Sequence, residues 1–336
     1  MTESDPLKRP LSPSRFKDFE QCPKLFYFKF IHGCSTPPSV ASIKGNLFHS
    51  VMEQFFRLGP EQRTQEHVRS FVRPAWEVAT DPMRSRDEVA PGTPEAALRE
   101  ATGYFAEVLE RHESKLDRAE REAEDWLTLV DVLESRGKSE VAEQIVAETE
   151  AIVDTYFTSG VEDPAKLATY QPHDVELYLK VELEGVTVHG FIDRLDHFVR
   201  ADGTERWIIT DYKTGRAPNP RFADEKFFQL LVYALMLKRS DLEIMTDELR
   251  LLYVNESDKR SGDRRKPVTE SDLDRAETKL ANAAEHIRRF GAENHWPATE
   301  SKLCDWCAFK QWCPAKGGDE SLVPAHWLDA PEEMVG

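Results

Sequence analysis

Thr210-Asp211-Tyr212-Lys213-Thr214-Gly215 closes an apolar run, Trp207-Ile208-Ile209. An acid and a base two residues apart on a strand send both side chains to one face. The ordinary outcome for such a pair is a surface ion pair. Here the apolar residues before it predict a strand with little access to solvent. Upstream, Val175, Leu177, Leu179, Val181 and Leu183 alternate with Glu176, Tyr178, Lys180 and Glu182, the period of a half-buried strand. Glu184-Gly185 turns the chain, and Val186, Val188, Gly190 and Ile192 continue with period 2 up to Asp193. Asp202-Gly203 is a second hairpin signal. An antiparallel pairing across it would set Asp193 beside Asp211.

Further out the pattern turns helical. Downstream, a Pro/Gly/Asn loop at 215–220 precedes a helix over 222–238, a strand from Leu249 to Val254, and a long helix over 269–290. Upstream, Ser12-Pro13-Ser14 opens a short helix under a hydroxyl cap. Pro23 should stop that helix with Cys22 at its end. Residues 44–57 form a helix whose apolar face is Phe48, Val51, Met52, Phe55 and Phe56, with His49 and Glu53 one turn apart. Residues 64–78 read as helix and 81–94 as a loop. Residues 95–157 read as charged helix with a break near Gly137. The sum is an α/β fold, a central mixed sheet flanked by helices. It divides into a disordered tail at 1–10, an N-terminal part at 11–60, a helical insertion at 61–170, a core at 171–300, a cysteine motif at 301–316 and a C-terminal tail at 317–336.

The chain has 336 residues, 40% of them hydrophobic, enough for a real core. No apolar run is long enough for a membrane span, and the first residues carry neither a basic start nor an apolar stretch, so the expected location is cytoplasmic. A net charge of -17 excludes a protein coated in basic surface, though not one with a local basic groove. Residues 113–150 hold 12 acids against 5 bases, read as a solvated helical stretch. The basic stretch 257–267 reads as a flexible loop and a candidate nucleic-acid contact. No Gly-x4-Gly-Lys-Ser/Thr loop is present, so no nucleotide-driven motor is expected.

Asp193, Asp211 and Lys213 together can hold a hard divalent cation with open water positions, and His49 could complete the set from the helical side. Such an ion lowers the pKa of water and neutralises phosphate charge, while the lysine orients the water or stabilises the phosphorane. Gln229 and Tyr233 stand at i and i+4 on one helix face. Cys304-x2-Cys307-x5-Cys313, with Cys22 near the other end, has the spacing of a zinc or iron–sulfur site that would clasp the chain's ends. Trp306, Phe309 and Trp312 could pack around it. The fifth cysteine, Cys34, reads as a small buried hydrophobe.

These segments resemble RecB-type nuclease domains of the PD-(D/E)XK superfamily. The resemblance lies in Leu11-Ser12-Pro13-Ser14-Arg15-Phe16 with Gln21-Cys22-Pro23, in Gly45-Asn46-Leu47-Phe48-His49, and in Gly190-Phe191-Ile192-Asp193-Arg194-Leu195-Asp196. It continues in Asp211-Tyr212-Lys213-Thr214-Gly215 and Gln229-x3-Tyr233. It implies a restriction-endonuclease-like core with His49, Asp193, Asp211 and the Tyr212 carbonyl around Mg2+ or Mn2+. Lys213 would be the catalytic lysine, and Gln229 and Tyr233 would position DNA. Among AddB-like and CRISPR-associated RecB-like relatives, cysteines placed like Cys22, Cys304, Cys307 and Cys313 hold a [4Fe-4S] cluster rather than zinc. The implied activity is a DNA exonuclease in repair, recombination or end processing. Its substrate would be DNA that is single-stranded or has free ends, and a helicase or another repair or CRISPR protein is an implied partner. The alternative is a catalytically silent DNA-binding subunit of such a complex.

Overall fold

Five strands form one sheet in the order β1-β2-β3-β4-β5: β1 Asp174–Leu183, β2 Val186–Val199, β3 Glu205–Lys213, β4 Glu248–Tyr253 and β5 Asp263–Pro267. The computed structural model describes residues 5–34, 39–80, 138–219, 223–256 and 259–324. The loop read at 81–94 and the charged helix up to 137 lie outside the described residues. So do residues 1–4 and 325–336 of the two tails.

The helices are α1 Pro13–Gln21, α2 Pro23–Phe26, α3 Val40–Arg57, α4 Gln65–Arg69, α5 Val72–Thr80, α6 Lys138–Thr158, α7 Pro164–Thr169, α8 Ala223–Lys226, α9 Phe228–Arg239, α10 Lys259–Gly262 and α11 Glu270–Ala292. Strands β1 to β3 run antiparallel, as the hairpin signals predict. Glu184 (φ 49°) and Gly185 (φ 70°) both take the left-handed conformation that a tight two-residue hairpin requires. β4 lies parallel to β3. That pairing needs a crossover, which α8 and α9 supply. The residues expected to form a basic loop are instead the short helix α10 and the edge strand β5, antiparallel to β4. Its Arg265 is paired with Asp263 and Glu248, and Lys266 lies 3.5 Å from Asp272.

Two apolar layers hold the sheet. On one side α3, α5 and α6 pack with Tyr212 and Leu252, burying Phe48, Val51, Met52, Phe55 and Phe56 as the sequence pattern predicts. On the other, α1, α9 and α11 pack with Val188, Ile192, Ile209 and Leu251. The described parts of the 61–170 segment share the core of α3. The helix expected over 64–78 is two helices, parted at Ser70-Phe71. Residues 5–10, expected in a disordered tail, are placed: Leu7 is buried, and Leu11 bridges to Val188.

Candidate metal centre

Three elements meet at the C-terminal end of β3. Helix α3 brings His49, β2 brings Asp193, and β3 brings Asp211, Tyr212 and Lys213. Helix α3 reaches the strand end closely, because a Cβ on Gly45 would lie 3.3 Å from Thr214 Oγ1. His49 Nε2 is 3.1 Å from the Tyr212 carbonyl oxygen, and its Nδ1 is 3.3 Å from Asp193 Oδ2. The Tyr212 amide donates to the same Asp193 oxygen at 2.9 Å. Lys213 Nζ is 2.6 Å from Asp211 Oδ2, yet that buried oxygen has no well-aligned hydrogen bond.

The sequence reading missed Glu176. It sits between the paired residues Val175↔Arg194 and Leu177↔Ile192, so it stands opposite Asp193. Its φ of 51° is in the left-handed region, which costs a non-glycine residue about 1 kcal/mol. Strain of this kind in a mid-strand acid accumulates at functional sites. Ligand atoms of His49, Glu176 and Asp193 all lie within 4.8 Å of one another, the one such trio among the described residues. The signal was present as an acid at an alternating polar position, where a solvent-facing glutamate is the ordinary expectation. Asp211 stands outside this trio, tied to Lys213.

The electrostatics are those of a crowded acid site. Burial, reinforced by Asp193, pushes the Glu176 carboxyl up to about 9. Burial also raises Asp211 to about 6, against the pull of Lys213. Burial works against the Asp193 carboxylate as well, but His49, Lys213 and the Tyr212 amide outweigh it and hold its pKa low. For His49 and Lys213, burial opposes the charged form. The adjacent Asp193 raises His49 to about 9, and Asp211 with Asp193 raises Lys213. Protons thus collect where a cation would relieve the repulsion between carboxylates. One ion with oxygen ligands at about 2.0–2.6 Å can reach all three members of the trio. The donor set of carboxylates, an imidazole and a carbonyl suits Mg2+ or Mn2+.

Gln229 and Tyr233 lie on α9 beside this centre. Gln229 Nε2 donates to Tyr233 Oη at 3.3 Å. The Tyr233 ring crosses Gly190, where an added Cβ would come 2.6 Å from Cε1. Burial raises the Tyr233 pKa, with Asp193 and Asp211 adding to the shift. The glycine before Asp193 therefore makes room for the tyrosine.

A second network lies across the same strands. Arg194, 1% exposed, donates to Glu162 at 2.8 and 3.1 Å, to Asp196 at 3.1 Å and to Tyr212 Oη at 2.8 Å. Arg250 pairs with Glu162 and Asp263. This cluster anchors the side chain of the residue whose backbone touches His49 and Asp193.

The four cysteines Cys22, Cys304, Cys307 and Cys313 line one pocket with Lys24, Phe28 and Lys310. Cys22 Sγ accepts from the Thr299 amide at 3.3 Å, and Cys304 Sγ from the Ser301 amide at 3.4 Å. Burial raises the Cys307 thiol, and the other three cysteines add to the shift. Phe309 and Trp312 are buried beside them, with Phe28 stacked on Phe309 at 5.1 Å, but Trp306 is 69% exposed and does not shield the thiols. Cys34 is buried in the core, where desolvation pushes its thiol up to about 11.

Residues 10–114 and 104–314 match the PD-(D/E)XK nuclease superfamily. The chain belongs to that superfamily, whose members are in general metal-dependent phosphodiesterases. Among curated proteins none matches. Eleven solved chains match. One, described as "Crystal structure of SSO0001", shares 19% identity over 63% of this chain and 94% of its own, with a TM-score of 0.28. No helix among the described residues is long and apolar enough to cross a membrane.

Proposed function

We propose that this chain is a DNA nuclease of the RecB type, an exonuclease acting in repair, recombination or end processing. The observation that carries the reading is the convergence of His49, Glu176 and Asp193 within 4.8 Å, next to the Asp211–Lys213 pair. His49, Glu176, Asp193, Asp211 and the Tyr212 carbonyl would hold Mg2+ or Mn2+. When bound, that ion would neutralise phosphate charge and make hydroxide available near neutral pH. Lys213 carries its proton in the shelter of Asp211 and would place it against the charge growing on the phosphate oxygens. Tyr233, fixed over Gly190 and bonded to Gln229, would seat the strand beside the carboxylates. His49 holds Asp193 and the Tyr212 backbone in one arrangement.

Cys22, Cys304, Cys307 and Cys313 would hold a [4Fe-4S] cluster. Here all four cysteines line one pocket, as a shared group at that place requires. Its role would be to tie the ends of the chain together. A helicase or CRISPR protein is the partner that such a nuclease would serve.

The test is purified protein on labelled single- and double-stranded DNA with Mg2+ or Mn2+, beside Asp211→Ala and Lys213→Ala. Metal-dependent cleavage lost in both variants is expected. Cleavage equal in all three proteins rejects the assignment, and DNA binding without turnover by the wild type marks a silent subunit.

A further inference from the structure

The β1–β2 hairpin carries an aromatic pair next to the metal centre that neither core absorbs. Tyr178 pairs with Phe191, and their ring centroids are 4.9 Å apart. Tyr178 is 46% exposed. Two pairs toward the centre, Glu176 stands opposite Asp193. Two pairs away from it, Lys180 is paired with His189. Residues two apart on a strand are separated by about 6.6 Å, so the rings lie one step from the carboxylates. A lone exposed tyrosine needs no explanation. This one extends a ring surface, since His189 also lies edge-on to it at 6.3 Å.

The charge around the rings is complementary to a polyanion. Burial lowers the His189 pKa, and the nearby positive charges of Arg15 and Lys180 lower it further, so two cations stand beside a neutral imidazole at this end of the hairpin. Arg15 is also anchored to the Pro10 carbonyl at 3.0 Å and lies over the Phe30 ring. Of the acids on this face, Glu182 accepts from the Thr187 hydroxyl, and Glu176 and Asp193 belong to the metal centre. Aromatic faces interleaved with basic side chains are the recurring means of holding unpaired bases.

We infer that Tyr178 and Phe191 form a base-stacking subsite for single-stranded DNA, holding the nucleotide next to the phosphate at the metal centre, with Lys180 and His189 along its backbone. This rests on the nuclease reading and adds to it a reason for strand choice. A base in a duplex is stacked on its neighbours and paired, so it presents no free face to Tyr178. The subsite selects unpaired DNA without reading its sequence.

The experiment measures affinity of the full chain for a fluorescent single-stranded oligonucleotide in chelating buffer, where no strand is cut. Tyr178→Ala should weaken binding roughly 5- to 150-fold, and Tyr178→Trp should restore it. An oligonucleotide with an abasic residue at the stacking position should bind wild type weakly. It should cause no further loss in Tyr178→Ala, because the two changes remove one interaction. Equal affinity of wild type and Tyr178→Ala, or an abasic penalty unchanged by that substitution, overturns the subsite. Unchanged DNA affinity together with self-association lost in Tyr178→Ala would assign the face to a second copy and also overturns it. Failure of the nuclease reading would show separately, as no metal-dependent cleavage by the wild type.

Discussion

Two charge clusters share strands β2 and β3 and differ in one respect. Around Glu162, every buried carboxylate meets a guanidinium: Arg194 and Arg250 converge on it, and Asp196 and Asp263 complete the set. Burial opposes the Glu162 charge, but the two arginines hold its pKa far below the usual carboxylate range. Around Asp193, the carboxylates of Glu176, Asp193 and Asp211 outnumber the lysine and histidine that face them, and two of the three are pushed up. Satisfied buried charge makes a scaffold. Crowded buried carboxylates, one of them on a strained backbone at Glu176, mark a candidate functional site. The scaffold reaches the site through Tyr212, whose hydroxyl accepts from Arg194 and whose backbone meets His49 and Asp193.

The sharpest way to break this contrast is to remove the scaffold's acid. Glu162→Ala takes away the carboxylate that Arg194 and Arg250 share, leaving them only Asp196 and Asp263, and should lower stability by about 3–5 kcal/mol in urea unfolding. The same loss of charge at the site should do the opposite to stability. Asp211→Asn relieves repulsion, so the metal-free protein should melt no lower than wild type, while cleavage falls about 100- to 1000-fold. A variant that lost stability there would show that the cluster is a second scaffold.

The two clusters also predict opposite responses to pH. Glu176 and Asp211 have folded pKa values raised to about 9 and about 6, so between their unfolded values and these the folded state holds extra protons. His49, raised to about 9, adds the same sign. Metal-free stability should therefore fall as pH rises toward 9. Glu162 and Asp263 have depressed pKa values, so their contribution is present above the unfolded carboxylate pKa and is lost as pH falls through the folded values. Thermal melts in chelating buffer from about pH 2 upward, for wild type and Glu176→Gln, separate the two: the variant should lose much of the alkaline slope and keep the acid limb. The smallest effect is expected at Gln229→Ala. It removes a single neutral hydrogen bond to Tyr233 worth about 1 kcal/mol, which should raise KM severalfold.

Much of the site was legible because its motifs are local. The alternation from Val175 to Ile192 and the two hairpin signals place Asp193 across from Asp211, and the apolar face of α3 aims His49 at them. Glu176 was hidden, since its left-handed backbone is set by tertiary packing and leaves no mark in the pattern. The Glu162–Arg194–Arg250 network was hidden because its members are 32 and 88 residues apart. β5 was misread because Asp263-Arg264-Arg265-Lys266-Pro267 has no β-branched or alternating signal; an edge strand beside β4 tolerates such charge and gains protection from it. Trp306 was expected among the thiols because it lies between Cys304 and Cys307, but the short 3-10 turn Lys302–Trp306 carries it outward.

The claim on which the rest depends is that a divalent cation binds between α3, β1, β2 and β3. Mn2+ binding followed by electron paramagnetic resonance in wild type, Asp193→Asn and Glu176→Gln tests it most directly. Wild type should take up the ion with release of protons, more tightly as pH rises from about 6 to 9, and each substitution should weaken uptake at least about tenfold. Mn2+ bound equally by all three proteins would contradict a metal centre at this place.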